Sequence, residues 1–588
     1  MTEISVWAPH AERVDLHLRD KPIAMRRDAR GAASAGPQNK RGTWRVDASI
    51  EHGDDYGFSI DGGGELPDPR SPWQPRGVHG PSRYLDHGEF GWADQAWRPP
   101  PLQSSVIYEL HAGTFTPDGT FEAVAKRLDH LVSLGVTALE LMPVNEFPGE
   151  RGWGYDGVDP YAPHHAYGGP DGLKHLVDAC HARGLAVIVD VVYNHLGPAG
   201  NHLREFGPYF TEKYKTPWGD AVNFDERSSN EVRNFFIDNA LMWLRDYHCD
   251  GLRIDAVHAM LDLSAVHFIE ELTDRVRAHE AEAGRPFWVI AESDLNDPCL
   301  VRSPEAGGFG MDAQWSDDFH HALHALLTGE RSGYYADFGS VSQLATALTN
   351  AYVFSGGYSD FRGRNHGRPA RGLPGSRFLG YLQNHDQIGN RATGDRTSHL
   401  LSPGLLRVGA ALVMTSPFVP LLFMGEEWGA STPFQYFTDH DDPQLGRAIG
   451  EGRRREFESF GWAADKVPDP QAVETFTRSK LNWNEVGTEP HAGMLDWHRR
   501  LIELRRSTPS LVDDDLEAVK VRYDEEKRWL VVERGEITVA CNLGTKPVEL
   551  DLAQNRRASV LLTSAHEPGA DGDAIRLPAE SVTIYSAG

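Results

Sequence analysis

Three carboxylates, Asp255, Glu292 and Asp386, each stand at the C-terminal end of a short apolar run. The runs read Gly251-Leu-Arg-Ile-Asp255, Phe287-Trp-Val-Ile-Ala-Glu292 and Phe378-Leu-Gly-Tyr-Leu-Gln-Asn-His-Asp386. If they are buried parallel strands of one barrel, the acids converge on its C-terminal rim, where such enzymes keep their active sites. Acids meeting there suit acid-assisted cleavage of a glycosidic bond. Side chains alternate along a strand, so Arg253 and Asp255 point the same way. A guanidinium beside a carboxylate keeps it ionised, as a nucleophile needs; the alternative is a plain internal ion pair. Glu292 emerges at the edge of a hydrophobic wall, where desolvation would hold a proton for a leaving group. The alternative for Glu292 is a cap on the next helix near Ser293 and Asp294. Asp386 lies in Gln383-Asn-His-Asp-Gln-Ile-Gly-Asn390, crowded with groups suited to sugar hydroxyls, although a lone His-Asp pair reads as well as a polar turn.

Two further segments fit the same rim. Asp190-Val-Val-Tyr-Asn-His195 ends an apolar run with Asp190 inside the barrel and His195 at its edge. Trp153-Gly-Tyr155-Asp156 offers aromatic faces that could stack on a pyranose ring, or that simply pack. Metal chemistry has less support despite 27 histidines. No HxH or HExxH spacing occurs, and the adjacent pairs His164-His165 and His320-His321 would point opposite ways if extended. No metal and no cofactor are expected. A Walker loop and a GxSxG elbow are also missing, so nucleotide hydrolysis and serine-esterase chemistry lack a basis.

These residues need eight strands to position them. From Val106 onward the pattern alternates between strand and helix, with candidate strands at 106–110, 137–142, 185–191, 251–255, 287–292, 311–315, 378–383 and 420–424. Helical periodicity fills the gaps at Phe121–Leu134, Asp171–Arg183, Glu231–Tyr247 and Leu263–Ala283, three of them stopping at Gly135, Gly184 and Gly284. Eight such units predict a (β/α)8 TIM barrel. The third strand is followed by an excursion at about 195–229, whose Tyr209, Phe210, Trp218 and Phe224 predict an ordered flap over the barrel mouth. Short alternating segments before residue 60, such as Ile4-Ser-Val-Trp-Ala8 and Val14-Asp-Leu-His-Leu18, predict an antiparallel β-sandwich. A Pro-, Trp- and Gly-rich stretch at 67–101 reads as a connector. Alternation returns after about Leu511, with a hairpin turning at Arg534-Gly535-Glu536. The expected domains are therefore 1–100 (sandwich and connector), 101–508 (barrel) and 509–588 (C-terminal antiparallel sandwich).

A chain of 588 residues needs more than one core. Its net charge of −27 disfavours nucleic acid and anionic membrane as partners and leaves a neutral sugar open. The four cysteines are scattered, which suits reduced thiols. With no basic-then-apolar leader and no run of eighteen apolar residues, a cytoplasmic protein is expected.

The segments Asp190–His195, Gly251–Ala256, Ala291–Ser293 and Asn384–Asp386 resemble the four signature segments of the α-amylase family of glycoside hydrolases, in the family's order and at its spacing. The resemblance covers about 107–504, and Val6-Trp-Ala-Pro-His-Ala-Glu-Arg-Val14 looks like the sandwich module of branching and debranching members. It implies a retaining glycosidase in which Asp255 is the nucleophile, Glu292 the general acid/base and Asp386 the acid that grips sugar hydroxyls and stabilises the transition state. It further implies His195 and His385 around the reacting sugar, Arg253 beside the nucleophile and Tyr155 as the stacking aromatic. One departure stands out: many α-amylases have Lys-His after the nucleophile, where this chain has His258-Ala259. Their calcium site is not apparent either.

Segments 145–158, 314–321, 423–440 and 451–457 resemble the trehalose-releasing members of that family. Such members cut the α-1,4 bond next to the terminal trehalose of maltooligosyltrehalose, leave maltooligosaccharides, and work after a synthase that makes the substrate. The resemblance leaves trehalose selection to residues beyond the bond, for which Trp218, the 317–321 loop (Asp317, Asp318, His320, His321) and Gln387, Asn390 and Arg391 are candidates. The alternatives are a glycogen branching enzyme, in which a sugar hydroxyl replaces water, an isoamylase-like debranching enzyme, and a noncatalytic glycan-binding protein on a dead barrel.

Overall fold

The computed structural model describes residues 1–28, 42–459, 466–551, 559–565, 569–571 and 574–586. Eight parallel strands close into a barrel: Ile107–Leu110, Ala138–Leu141, Ala186–Val191, Gly251–Ile254, Trp288–Ala291, Ala313–Trp315, Phe378–Tyr381 and Val419–Phe423, in that order around the ring. Each lies within one of the eight apolar runs or one residue outside it, and the expected TIM-barrel class is the one observed.

The two-residue period of these strands sorts the interior into layers. Ile107, Ala138, Ala186, Ile188, Trp288, Ile290, Ala313, Leu379, Val419 and Leu421 form one apolar cluster inside the ring, packed against by Trp97 and Leu102 ahead of the first strand. Two residues further along their strands come Glu109, Glu140, Asp190 and Arg253, all buried. Glu109 pairs in register with Glu140, and Asp190 with Arg253. Two residues beyond Arg253, Ile290 and Trp315 stand Asp255, Glu292 and Asp317. The strand period therefore delivers a charged layer onto an apolar plug and places the candidate acids at its rim.

The outer helices depart from the sequence reading at two points. The periodic run 121–134 is two helices, Phe121–Ala125 and Leu128–Leu134, because Arg127 turns tightly and its N–H bonds to Val124 rather than to Ala123. The helix expected from Leu263 starts at Phe268. The Asp262 carboxylate accepts from the N–H groups of Ser264 and Phe268 and ties 262–267 into a loop, leaving Leu263 79% exposed.

The N-terminal segment forms two antiparallel sheets. One joins Thr2–Trp7, Thr43–Ala48 and Arg26–Arg27; the other joins Lys21–Ala24, Val14–Leu18, Asp55–Ile60 and Ser82–Arg83. At the C-terminus a five-stranded sheet packs on a three-stranded one, with Val531, Ala540 and Tyr585 of the first against Val548, Leu550 and Leu577 of the second. Arg534 pairs with Ile537, so the hairpin turns on Gly535-Glu536, where Gly535 takes φ 56°. No helix of the described residues is long and apolar enough to cross a membrane.

The excursion is ordered, but only part of it faces the mouth. It contains the short helix Leu203–Phe206 and a hairpin, Phe210–Thr216 with Gly219–Val222, turning at Pro217-Trp218. Tyr209 and Phe224 are buried instead of lining a flap: Tyr209 meets Trp7 of the N-terminal sheet edge-on at 5.2 Å, and Phe224 stacks on Phe268 at 4.1 Å. Trp218, at the hairpin tip, is 51% exposed.

Candidate active site

Arg253 is the hub of the rim. It is fully buried, and its Nη1 donates to both oxygens of Asp190 (3.0 and 2.8 Å) and to Asp255 Oδ1 at 2.8 Å, while the guanidinium lies over the Trp315 ring. The other oxygen of Asp255 accepts from Asn194 Nδ2 at 2.8 Å. Asp255 thus has a donor on each oxygen. The next residue, Ala256, sits in the left-handed region at φ 40°, a strained conformation for a side chain with a Cβ. That turn aims the Ala256 N–H at Glu292 Oε2, 2.6 Å away. Glu292 therefore does not cap the following helix; it leans back over the fourth strand. Its nearest cationic atom, Arg253 Nη2, is 3.8 Å off, and burial raises its pKa above the ordinary carboxyl value. Two acids flank one guanidinium, Asp255 bonded to it directly and Glu292 set back from it with its pKa raised by burial.

Asp386 opens the helix His385–Gly389, which is capped reciprocally by Asn384 and Gln387. It is the most exposed of the three, 40% against 13% for Asp255 and 17% for Glu292. Asn390 Nδ2 donates to its Oδ1 at 3.2 Å, and His385 Nε2 is 3.5 Å from its Oδ2. His385 is buried among acceptors: its Nδ1 faces Glu109, its Nε2 faces the Tyr155 hydroxyl at 2.8 Å, and that hydroxyl donates to Asp190 at 2.5 Å. Both ring nitrogens must then carry protons. Burial alone would lower its pKa, but Asp386 and Glu109 lift it to about 9.

The aromatic residues divide. Tyr155 stacks on His385 (centroids 5.2 Å apart) and is half-buried at the rim. Trp153 stands behind it, buried, donating to the Gln435 carbonyl and stacked on Phe434, so it supports His385 and Tyr155 and does not face the mouth. His195 stacks on Trp218 at 4.2 Å and nearly parallel, and burial lowers its pKa.

The other expected contacts are only partly at the mouth. His258 is exposed on the turn Val257–Ala259. Asp317 accepts from the Tyr381 hydroxyl at 2.5 Å, and burial beside Glu292 pushes its pKa well above the usual range. Asp318 points away: its Oδ2 accepts from Asn296 Nδ2 and from the N–H groups of Val353 and Phe354. His320 bonds the Tyr335 hydroxyl, and His321 stacks on Tyr334, both inside the packing of helix Asp317–Thr328. Gln387 serves the helix cap, Arg391 pairs with Glu330 at 2.8 Å, and Asn390 is braced by Arg453 Nη1 at 3.0 Å. The sequence reading missed Asn194 as a partner of Asp255 and Glu109 as a partner of His385. The signal for Glu109 was present, an acid inside the apolar run Val106–Leu110, where a buried charge needs a partner.

The two histidine pairs are not extended. His320 and His321 lie on a helix, and His164 follows the strand Asp159–Pro163 as the cap of the 3-10 turn His165–Tyr167. In consequence His164 and His165 both face Glu146 instead of diverging.

Comparison with known proteins sharpens the identity. The family described as alpha amylase, catalytic domain, matches residues 81–218, and a domain of unknown function (DUF3459) matches 514–584. A malto-oligosyltrehalose trehalohydrolase of Mycobacterium tuberculosis is 50% identical over 553 residues, covering 93% of each chain. The chain belongs to the malto-oligosyltrehalose trehalohydrolase family. A crystal structure from Salmonella typhimurium, described as a candidate alpha amylase, shares 37% identity with this member of the family and superposes at a TM-score of 0.89, covering 99% of this chain and 97% of the other. A 1,4-alpha-glucan branching enzyme of Salinibacter ruber is more distant, 26% identical over 91% of this chain and 81% of its own.

Proposed function

We propose that this chain hydrolyses the α-1,4-glucosidic bond next to the terminal trehalose of maltooligosyltrehalose, with retention at the cleaved carbon. The supporting observation is the division of labour around Arg253 in a member of this family: Asp255 with a donor on each oxygen, Glu292 desolvated and raised. Asp255 attacks C1 of the glucose on the nonreducing side while the C1–O bond breaks. Glu292 gives its proton to the departing O4 of trehalose. Glu292 then takes a proton from water, whose oxygen attacks C1 and frees the Asp255 carboxylate. Asp386 accepts from hydroxyls of the same sugar, which flattens as positive charge develops at C1. His195, His385, Tyr155 and Arg253 surround that sugar. On the leaving side stand Trp218, His258, Asp317, Gln387, Asn390 and Arg391, whereas Trp153, Asp318, His320 and His321 hold the wall behind.

The same reading makes maltooligosaccharide the second product and places the reaction after a synthase that converts maltooligosaccharides into maltooligosyltrehalose, in the cytoplasm. We assign the sandwich and connector to 1–100, the barrel to 101–508 and the second sandwich to 509–588. The deciding experiment is parallel incubation with maltotriosyltrehalose and with maltohexaose. Free trehalose from the first, with the new reducing end initially α, and slow action on the second are expected. New α-1,6 linkages would turn the reading to a branching enzyme.

A further inference from the structure

Glu146, His164 and His165 lie outside the proposed catalytic machinery, Glu146 on the small ladder that Asn145-Glu146 makes with Asp159–Pro163 after the second barrel strand and the two histidines directly after that ladder's second strand. One ligand atom from each falls within 4.8 Å of the others. Glu146 and His164 are fully buried, and His164 stacks on Phe147 at 3.7 Å. His164 Nδ1 is 3.2 Å from Glu146 Oε1 but outside hydrogen-bond geometry, and neither of its ring nitrogens has a hydrogen-bond partner among the described residues. An imidazole sealed from solvent with both nitrogens unsatisfied is costly, and such a group in a native protein calls for an unmet partner.

The surroundings define that partner. His165 Nδ1 is 2.7 Å from the same Glu146 oxygen, and its other nitrogen, Nε2, is 3.2 Å from Glu150 Oε1. A histidine whose far nitrogen is held by a carboxylate is the usual outer support of a metal-bound imidazole. Two imidazoles and one carboxylate suit zinc, whose bonds of about 2 Å place neighbouring tetrahedral ligands roughly 3.3 Å apart. The His164–Glu146 spacing already matches, and the His165–Glu146 pair needs to open by about half an ångström on the same scale.

We propose that Glu146 Oε1, His164 Nδ1 and His165 Nδ1 form a structural site for a divalent cation of the zinc class, with Glu150 as its outer support. The ion ties both strands of the ladder together, and the loop between those strands carries Trp153 and Tyr155.

Full-length protein stripped with chelator, then dialysed against zinc chloride and buffer, tests this. Wild type is expected to retain one zinc per chain and to melt at a higher temperature than the stripped form, while His164→Ala retains none and does not respond. Glu150→Gln, at an exposed position, keeps the stoichiometry and weakens binding about 10- to 100-fold. If His164→Ala does not fold, the zinc-edge absorption spectrum of loaded wild type decides, with two imidazoles and a carboxylate oxygen expected. No retained zinc in wild type, equal retention by folded His164→Ala, or an edge spectrum of an oxygen-rich surface site would overturn the proposal and leave a buried water as the partner of His164.

Discussion

Replacing Glu109 with Gln is the sharpest probe of the charged layer, because it changes one atom and leaves the three acids at the rim in place. Glu109 accepts from the backbone N–H of His385 at 3.1 Å and from its Nδ1. Together with Asp386 it lifts His385 from the ordinary 6.5 to about 9. That lift is the net left after burial has lowered the ring's pKa, so removing the Glu109 charge is expected to bring His385 down from it. The amide introduced by Glu109→Gln offers one oxygen where two donors must be met, so one buried N–H loses its acceptor, at about 1–3 kcal/mol. In this variant His385 is expected to titrate below about 9. A group raised on folding stabilises fully below its unfolded pKa and loses that contribution as pH rises through its folded value. The part of the stability gap between wild type and variant that comes from His385 is therefore widest below the variant's lowered value and closes as pH rises through about 9, measurable by urea midpoints at both ends. Trehalose release loses its alkaline limb at lower pH in the variant, and an NMR titration of the His385 ring separates this from Glu292, which shares that limb. A folded variant whose His385 still titrates at about 9 would refute the coupling.

Glu292→Gln is expected to lower kcat by about 10²- to 10⁴-fold with little change in KM; unchanged turnover would take the acid/base role away from Glu292. Trp7→Ala removes the ring on which Tyr209 rests, and loss of so large a buried side chain costs about 3–5 kcal/mol. Because Tyr209 leads into the hairpin that carries Trp218, KM for maltotriosyltrehalose should rise more than kcat falls, and an unchanged KM in the folded variant would disconnect the N-terminal sheet from the mouth. Gly389→Ala drives a Cβ to within 2.0 Å of the Trp153 ring, so thermal melting should show a loss of at least about 1–3 kcal/mol. Trp153→Phe in the same chain should recover part of it, and no recovery would place the clash elsewhere.

The barrel was legible because its strands are short, largely apolar runs alternating with helical periodicity, a pattern that needs no knowledge of distant partners. The acids were legible for the same reason, since they stand where those runs stop. What escaped was pairing across the ring. Glu109 and His385 are 276 residues apart, and nothing local in either segment announces the other. Polarity also misled where it served packing. Asp318, His320 and His321 read as sugar contacts, yet the helix Asp317–Thr328 turns them inward, where Asp318 collects two backbone N–H groups and the histidines act as aromatic surfaces. The excursion shows the same ambiguity: Tyr209 and Phe224 bind it to the body of the protein, and only Trp218 is left to meet a ligand.

Three chemically similar acids on one rim need something to make them different, and the structure supplies it through donors. Asp255 is gripped on both oxygens, Glu292 receives one amide N–H while the shared guanidinium stays 3.8 Å away, and Asp386 faces a cationic His385 across 3.5 Å. Each arrangement depends on an element other than the strand bearing the acid: Asn194 from the third strand's end, the left-handed turn at Ala256 from the fourth, Glu109 from the first. The roles proposed for the acids are therefore properties of the closed ring. Disturbing any one of these three supports should blur the distinction between the acids before it abolishes the fold, since none of the three belongs to the apolar plug beneath them.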